Sequence, residues 1–106
     1  MASLKAELLR KLRTIEGLED RPSPVAGGTA LFWREQSFAH FHNDNELDLR
    51  LTKKVIKAQG LSHPEGSVHH ANRAAGSAWI ELRFHDTAAV DRVCDLVRLA
   101  IAQLPA

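Results

Sequence analysis

The chain has 106 residues, enough for one domain, and its 44% hydrophobic and 25% charged residues are those of an ordinary globular protein. Its 14 Lys and Arg against 13 Asp and Glu leave a net charge of +1; the basic residues are scattered, which argues against nucleic acid or an anionic membrane as partner. One cysteine, Cys94, excludes an internal disulfide, no apolar run approaches the ~18 residues of a membrane span, and the mixed-charge start MASLKAELLRKLRTIEG lacks the apolar block of a signal peptide, so a cytoplasmic protein is expected.

Ser3 can cap a first helix, on which Leu4, Leu8, Leu12 and Ile15 recur at helical spacing until Gly17. The stretch EDRPSPVAGG, residues 19 to 28, carries two prolines and two glycines and reads as an extended connector. Three short strands are expected next. Residues 29–34 (TALFWR) are followed by the polar pair Glu35-Gln36. Residues 37–42 (SFAHFH) end at Asn43-Asp44-Asn45, which favours a tight turn. Residues 46–51 (ELDLRL) alternate polar and leucine without a break. Thr52 then caps a short helix that Gly60 ends. Residues 61–77, with Pro64, Gly66, Gly76, His63, His69 and His70, read as a long mobile loop. Residues 78–84 (AWIELRF) form a fourth strand. Asp86 caps a last helix with an apolar stripe of Val90, Val93, Cys94, Val97, Ile101 and Leu104.

The order α-β-β-β-α-β-α predicts one α+β domain over residues 1–106: a mainly antiparallel sheet of about four strands, with helices on one face. Side chains alternate across a strand. Leu47, Leu49 and Leu51 therefore face the helices with Ala78, Ile80, Leu82 and Phe84, while Glu46, Asp48, Arg50, Trp79, Glu81 and Arg83 face away. On the second strand, sending Ser37, Ala39 and Phe41 inward puts Phe38, His40 and His42 on the polar face.

The segment GGTALFWREQSFAHFHNDNELDLRL, then a short helix, a His-Pro loop and AGSAWIELRFHDTAAVDRVCDLVRLAI, resembles the small bacterial proteins of the luciferase family, also called luciferase domain proteins. The resemblance runs from about Leu12 onward and is most specific at Gly27-Gly28, His40, His42, Asp48, His63 and the Trp79 strand. It does not imply light emission. Flavin-dependent luciferases use a barrel scaffold of roughly 200 residues or more, and no dinucleotide fingerprint is present here.

His40 and His42, two apart on a strand, point the same way and can ligate one divalent metal, with Asp48 as a third ligand and His63 arriving from the loop. The plainer reading is two polar residues hydrogen-bonded to Asp48 or Glu81. Asp48 and Glu81 form a candidate acid/base pair, set against ordinary cross-strand charge pairing with Arg50 and Arg83. Lys53 and Lys54 start the short helix, where an anion would bind, or are merely a small uncorrected cost. Trp79 is either a binding anchor or covered by the loop. Cys94 is expected to be buried and inert.

No nucleophile elbow or phosphate loop is present. The expected function is therefore a binding domain whose working surface is the polar sheet face, carried by His40, His42, Asp48, Trp79, Glu81 and Arg83 with His63. No cofactor is predicted beyond a divalent metal at His40 and His42. The ligand is expected to be a small molecule or an anion. The alternatives are a small metal-dependent enzyme using the same histidines and a homodimer or interaction module.

Overall fold

The computed structural model describes residues 3–23, 28–61 and 78–104. Eight elements follow in chain order: α1 (Leu4–Leu12), β1 (Leu18–Pro22), β2 (Thr29–Trp33), β3 (Gln36–Asn43), β4 (Glu46–Arg50), α2 (Lys53–Ala58), β5 (Trp79–Arg83) and α3 (Thr87–Gln103). The strands form one antiparallel sheet in the order β1-β2-β3-β4-β5. The class is α+β, as expected, with five strands where about four were anticipated.

The additional strand is β1, which lies in the segment read as a connector. Its sequence, LEDRP, has one large apolar residue and gives no alternation. Among the described strands it pairs only with β2, so it lies at the edge of their sheet, where charge and a terminal proline are tolerated. Its support comes from side chains: Arg13 holds Asp20 by two hydrogen bonds of 3.1 and 2.9 Å, Arg21 pairs with both Glu19 and Glu35, and the Arg21 guanidinium lies 4.9 Å from the centre of the Phe32 ring.

The helix boundaries follow local capping. The Ser3 hydroxyl accepts from the Ala6 N–H, Thr52 from Val55 and Asp86 from Ala89. Leu8, Leu9 and Leu12 of α1 and Val90, Val93, Cys94, Leu96, Val97 and Ala100 of α3 share one apolar cluster with Leu31, Ala39, Phe41, Leu47, Leu49, Leu51, Ile80, Leu82 and Phe84. The helices α1 and α3 thus cover one face of the sheet, and the alternation on β4 and β5 assigns that face as expected. The helix α2 buries none of its residues.

Two irregularities in β3 shape the other face. Leu31 pairs with Ala39 but Phe32 with Ser37, so Phe38 is an extra residue. A bulge re-aims side chains, and Phe38 is fully buried in the core cluster rather than standing on the histidine face. Phe41 pairs with Leu47 and Asn43 with Glu46, so His42 is the second extra residue, next to the β3–β4 turn. In that turn the Asn43 side chain accepts from the Asn45 N–H at 2.8 Å.

Candidate functional site

The sheet register brings the polar residues of β3, β4 and β5 together on the face away from α1 and α3. His40 lies directly opposite Asp48, and Asp48 directly opposite Glu81, so three titratable groups cross three strands in one row. A second row holds Glu46 opposite Arg83, with Asn43 beyond it. The bulge at His42 sets its ring between the rows. Arg50 lies opposite Trp79 and is exposed.

Distances within the cluster are uniform. His40 Nε2 is 3.6 Å from Asp48 Oδ2. His42 Nδ1 is 3.5 Å from Glu81 Oε1 and 3.7 Å from Glu46 Oε2. All three exceed the usual hydrogen-bond range of about 2.7–3.2 Å. The Arg83 guanidinium takes the other oxygens of the same two carboxylates, 3.3 Å from Glu81 Oε2 and 4.0 Å from Glu46 Oε1. The imidazole centres of His40 and His42 are 5.1 Å apart, and the Trp79 ring is 5.8 Å from that of His40. In each of the sets His40–His42–Asp48 and His42–Glu46–Glu81, one ligand atom per residue lies within 4.8 Å of the others.

The face is not open at its centre. Asp48 and Glu81 are each 1% exposed, and the His42 side chain is 7% exposed. The His40 side chain keeps 25% of its surface, and Trp79 is half-buried. Of the pairings expected between strands, Glu46 with Arg83 is an ordinary opposite-charge pair, but Asp48 faces Glu81. Like charges directly opposed on a sheet are destabilising, and taking ions out of water costs several kcal/mol each before compensation. The Arg83 guanidinium, 3.3 Å from Glu81, supplies positive charge beside them.

Of the residues singled out from sequence, the structure brings together His40, His42, Asp48, Trp79, Glu81 and Arg83. His63 lies outside the described residues, as does the expected loop apart from Leu61. Glu46 belongs to the cluster although the sequence reading placed it on the polar face without assigning it to the site. The signal was its spacing four residues from His42 across a two-residue turn. Lys53 and Lys54 are exposed in the first turn of α2. Cys94 is buried, and burial pushes its thiol pKa up, as an inert cysteine requires.

A cavity of about 350 Å³ lies elsewhere, between α1 and α3, lined by Arg10, Lys11, Thr14, Asp91, Cys94, Asp95 and Arg98. Its charges pair with each other, Lys11 with Asp91 and Arg98 with Asp95. With Arg10, Lys11 and Arg98 against Asp91 and Asp95 the groove carries a net charge of +1, and four of its five charged groups are paired within it. No described helix is long and apolar enough to cross a membrane.

No curated protein matches the chain. A family model described as "Luciferase domain" matches residues 35–100, which span β3, β4, α2, β5 and most of α3 and so include every member of the cluster. With well over half of its length matched, including both histidines and all three clustered carboxylates, the chain belongs to the Luciferase domain family.

Proposed function

We propose that the protein is a binding domain whose working surface is the β3–β4–β5 face away from the helices, and that its ligand carries positive charge. The observation behind this reading is the direct opposition of two almost fully buried carboxylates, Asp48 and Glu81, beside two imidazoles. Within the cluster, Glu46, Asp48 and Glu81 bring three negative charges and Arg83 one positive charge. Carboxylates thus outnumber the guanidinium among the described residues of the cluster, which favours an electropositive ligand over an anionic one. Trp79 and His40 border the cluster and supply a ring surface on its more accessible side. The single cysteine, a buried free thiol, suits a cytoplasmic setting.

Backbone amide NMR of the full chain, with zinc ion, a polyamine and phosphate as separate probes, tests this reading. The expected result is that zinc or the polyamine shifts signals of residues 40–48 and 79–83 and phosphate does not. Phosphate binding at these residues, or cation-induced shifts confined to other surfaces, would refute it.

A further inference from the structure

We infer that the cluster is a mononuclear site for a first-row transition-metal dication, with His40, His42 and Asp48 as ligands and Glu46 and Glu81 as the carboxylates that orient His42. This inference rests on the binding-face reading above and specifies its ligand.

The tautomer of His42 carries the argument. Its Nδ1 faces oxygens of two carboxylates, at 3.5 and 3.7 Å. A lone pair aimed at two negative oxygens is repelled, whereas an N–H aimed between them is attracted, so the proton of the neutral ring belongs on Nδ1. The lone pair is then on Nε2, at the far side of the ring. A carboxylate held on the distal N–H is the usual support of a metal-binding histidine, fixing its tautomer and raising its basicity. Glu46 and Glu81 stand on the side of the ring where such a support belongs, and Arg83 lies 4.0 and 3.3 Å from their remaining oxygens.

The other two ligands fit the same ion. His40 Nε2 and Asp48 Oδ2 are 3.6 Å apart. Two ligands each about 2.0–2.1 Å from one ion at a tetrahedral angle are separated by about 3.4 Å. The separation is thus too long for a direct hydrogen bond and close to the spacing across an ion. His40, His42 and Asp48 each place a ligand atom within 4.8 Å of the others.

The rival set, His42 with Glu46 and Glu81, would draw the ion to carboxylates that already carry the Arg83 cation. It also offers one nitrogen where the first set offers two. Two imidazoles and one carboxylate select iron, cobalt, nickel or zinc over magnesium and calcium, which prefer all-oxygen sites. Three protein ligands leave at least one coordination position open, and the partly exposed His40 marks the side from which an ion enters.

The test is metal titration of the untagged full chain after chelator treatment, read by metal analysis, by competition with a chromophoric chelator and by the visible spectrum of bound cobalt(II). The expected result is one zinc or cobalt per chain, no displacement by millimolar magnesium or calcium, and nitrogen-containing ligation in the cobalt spectrum. H40A and D48N should each remove the site or change its spectrum. E46Q and E81Q should keep one equivalent and weaken binding by about ten- to a hundredfold. E46Q involves a partly exposed residue, so it remains informative if E81Q does not fold. Loss of the metal in E46Q with full retention in H40A would overturn the ligand assignment. Absence of any metal binding while the polyamine still shifts residues 40–48 would overturn the metal inference and leave the binding-face reading standing. Absence of binding by every cationic probe would overturn both.

Discussion

Truncation of Phe38 to alanine should be among the most damaging single changes in this protein. Simple alternation along β3 puts Phe38 beside His40 and His42, where its loss would cost little. The bulge between Ala39 and Ser37 instead turns it fully into the core cluster. A phenylalanine buries about 150–250 Å², which at about 25 cal/mol per Å² amounts to roughly 4–6 kcal/mol for the whole side chain. Alanine retains a small part of this, and measured Phe-to-Ala changes in cores fall at about 3–5 kcal/mol. Against a total stability of about 5–15 kcal/mol, that loss leaves a marginal domain. Urea unfolding followed by tryptophan fluorescence measures it. The midpoint should fall steeply with little change in slope, and Phe38→Leu should recover most of the loss. A cost below about 1 kcal/mol for Phe38→Ala would show that the side chain is exposed and that the bulge is misplaced.

Other consequences concern the core, the edge strand and the thiol. Leu49→Ala should cost about 2–5 kcal/mol, whereas Arg50→Ala, the next residue in sequence but exposed at the end of β4, should cost less than about 0.5 kcal/mol in the same urea assay. Asp20 has its pKa lowered from the ordinary 3.8, chiefly by the hydrogen bonds from Arg13. A lowered carboxylate pKa adds stability above the unfolded-state value that is lost as pH falls through the folded-state value. Wild type should therefore exceed Asp20→Asn by about 0.2–1 kcal/mol at pH 7, and the gap should close below the ordinary carboxylate value; a gap that widens in acid would contradict the Arg13 contact. Cys94 should react with a thiol reagent slowly in the native protein and quickly in urea, because its thiol is buried and its pKa raised. Equal rates in the two states would show that the packing of α3 against α1 and the sheet does not shield it.

The sequence was most informative where one period dominates. The alternation of Leu47, Leu49 and Leu51 and the stripe on α3 named the covered face correctly, because burying those side chains leaves one solution for each element. The charged strand β1 was illegible, since an edge strand held by Arg13 and Arg21 needs no apolar alternation. The bulges were equally hidden: an extra residue changes which way Phe38 and His42 point without altering local composition. Strand periodicity put His40, His42, Asp48 and Glu81 on one face. It could not show that Asp48 and Glu81 are directly opposed, nor that Glu46 closes the ring around His42, because both follow from register between strands. The burial of both carboxylates likewise depends on tertiary packing rather than on the alternation that placed them.

The most direct test of the site is the state of the two ring nitrogens of His42, read by long-range ¹H–¹⁵N correlation of histidine-labelled protein, with assignment from the single histidine variants. The account predicts that Nδ1 carries the proton, held toward Glu46 and Glu81, both before and after addition of one equivalent of zinc, and that zinc moves the Nε2 signals of His42 and the ring signals of His40 together. Zinc bound through His42 Nδ1, or rings of His40 and His42 left unchanged by the metal, would contradict it.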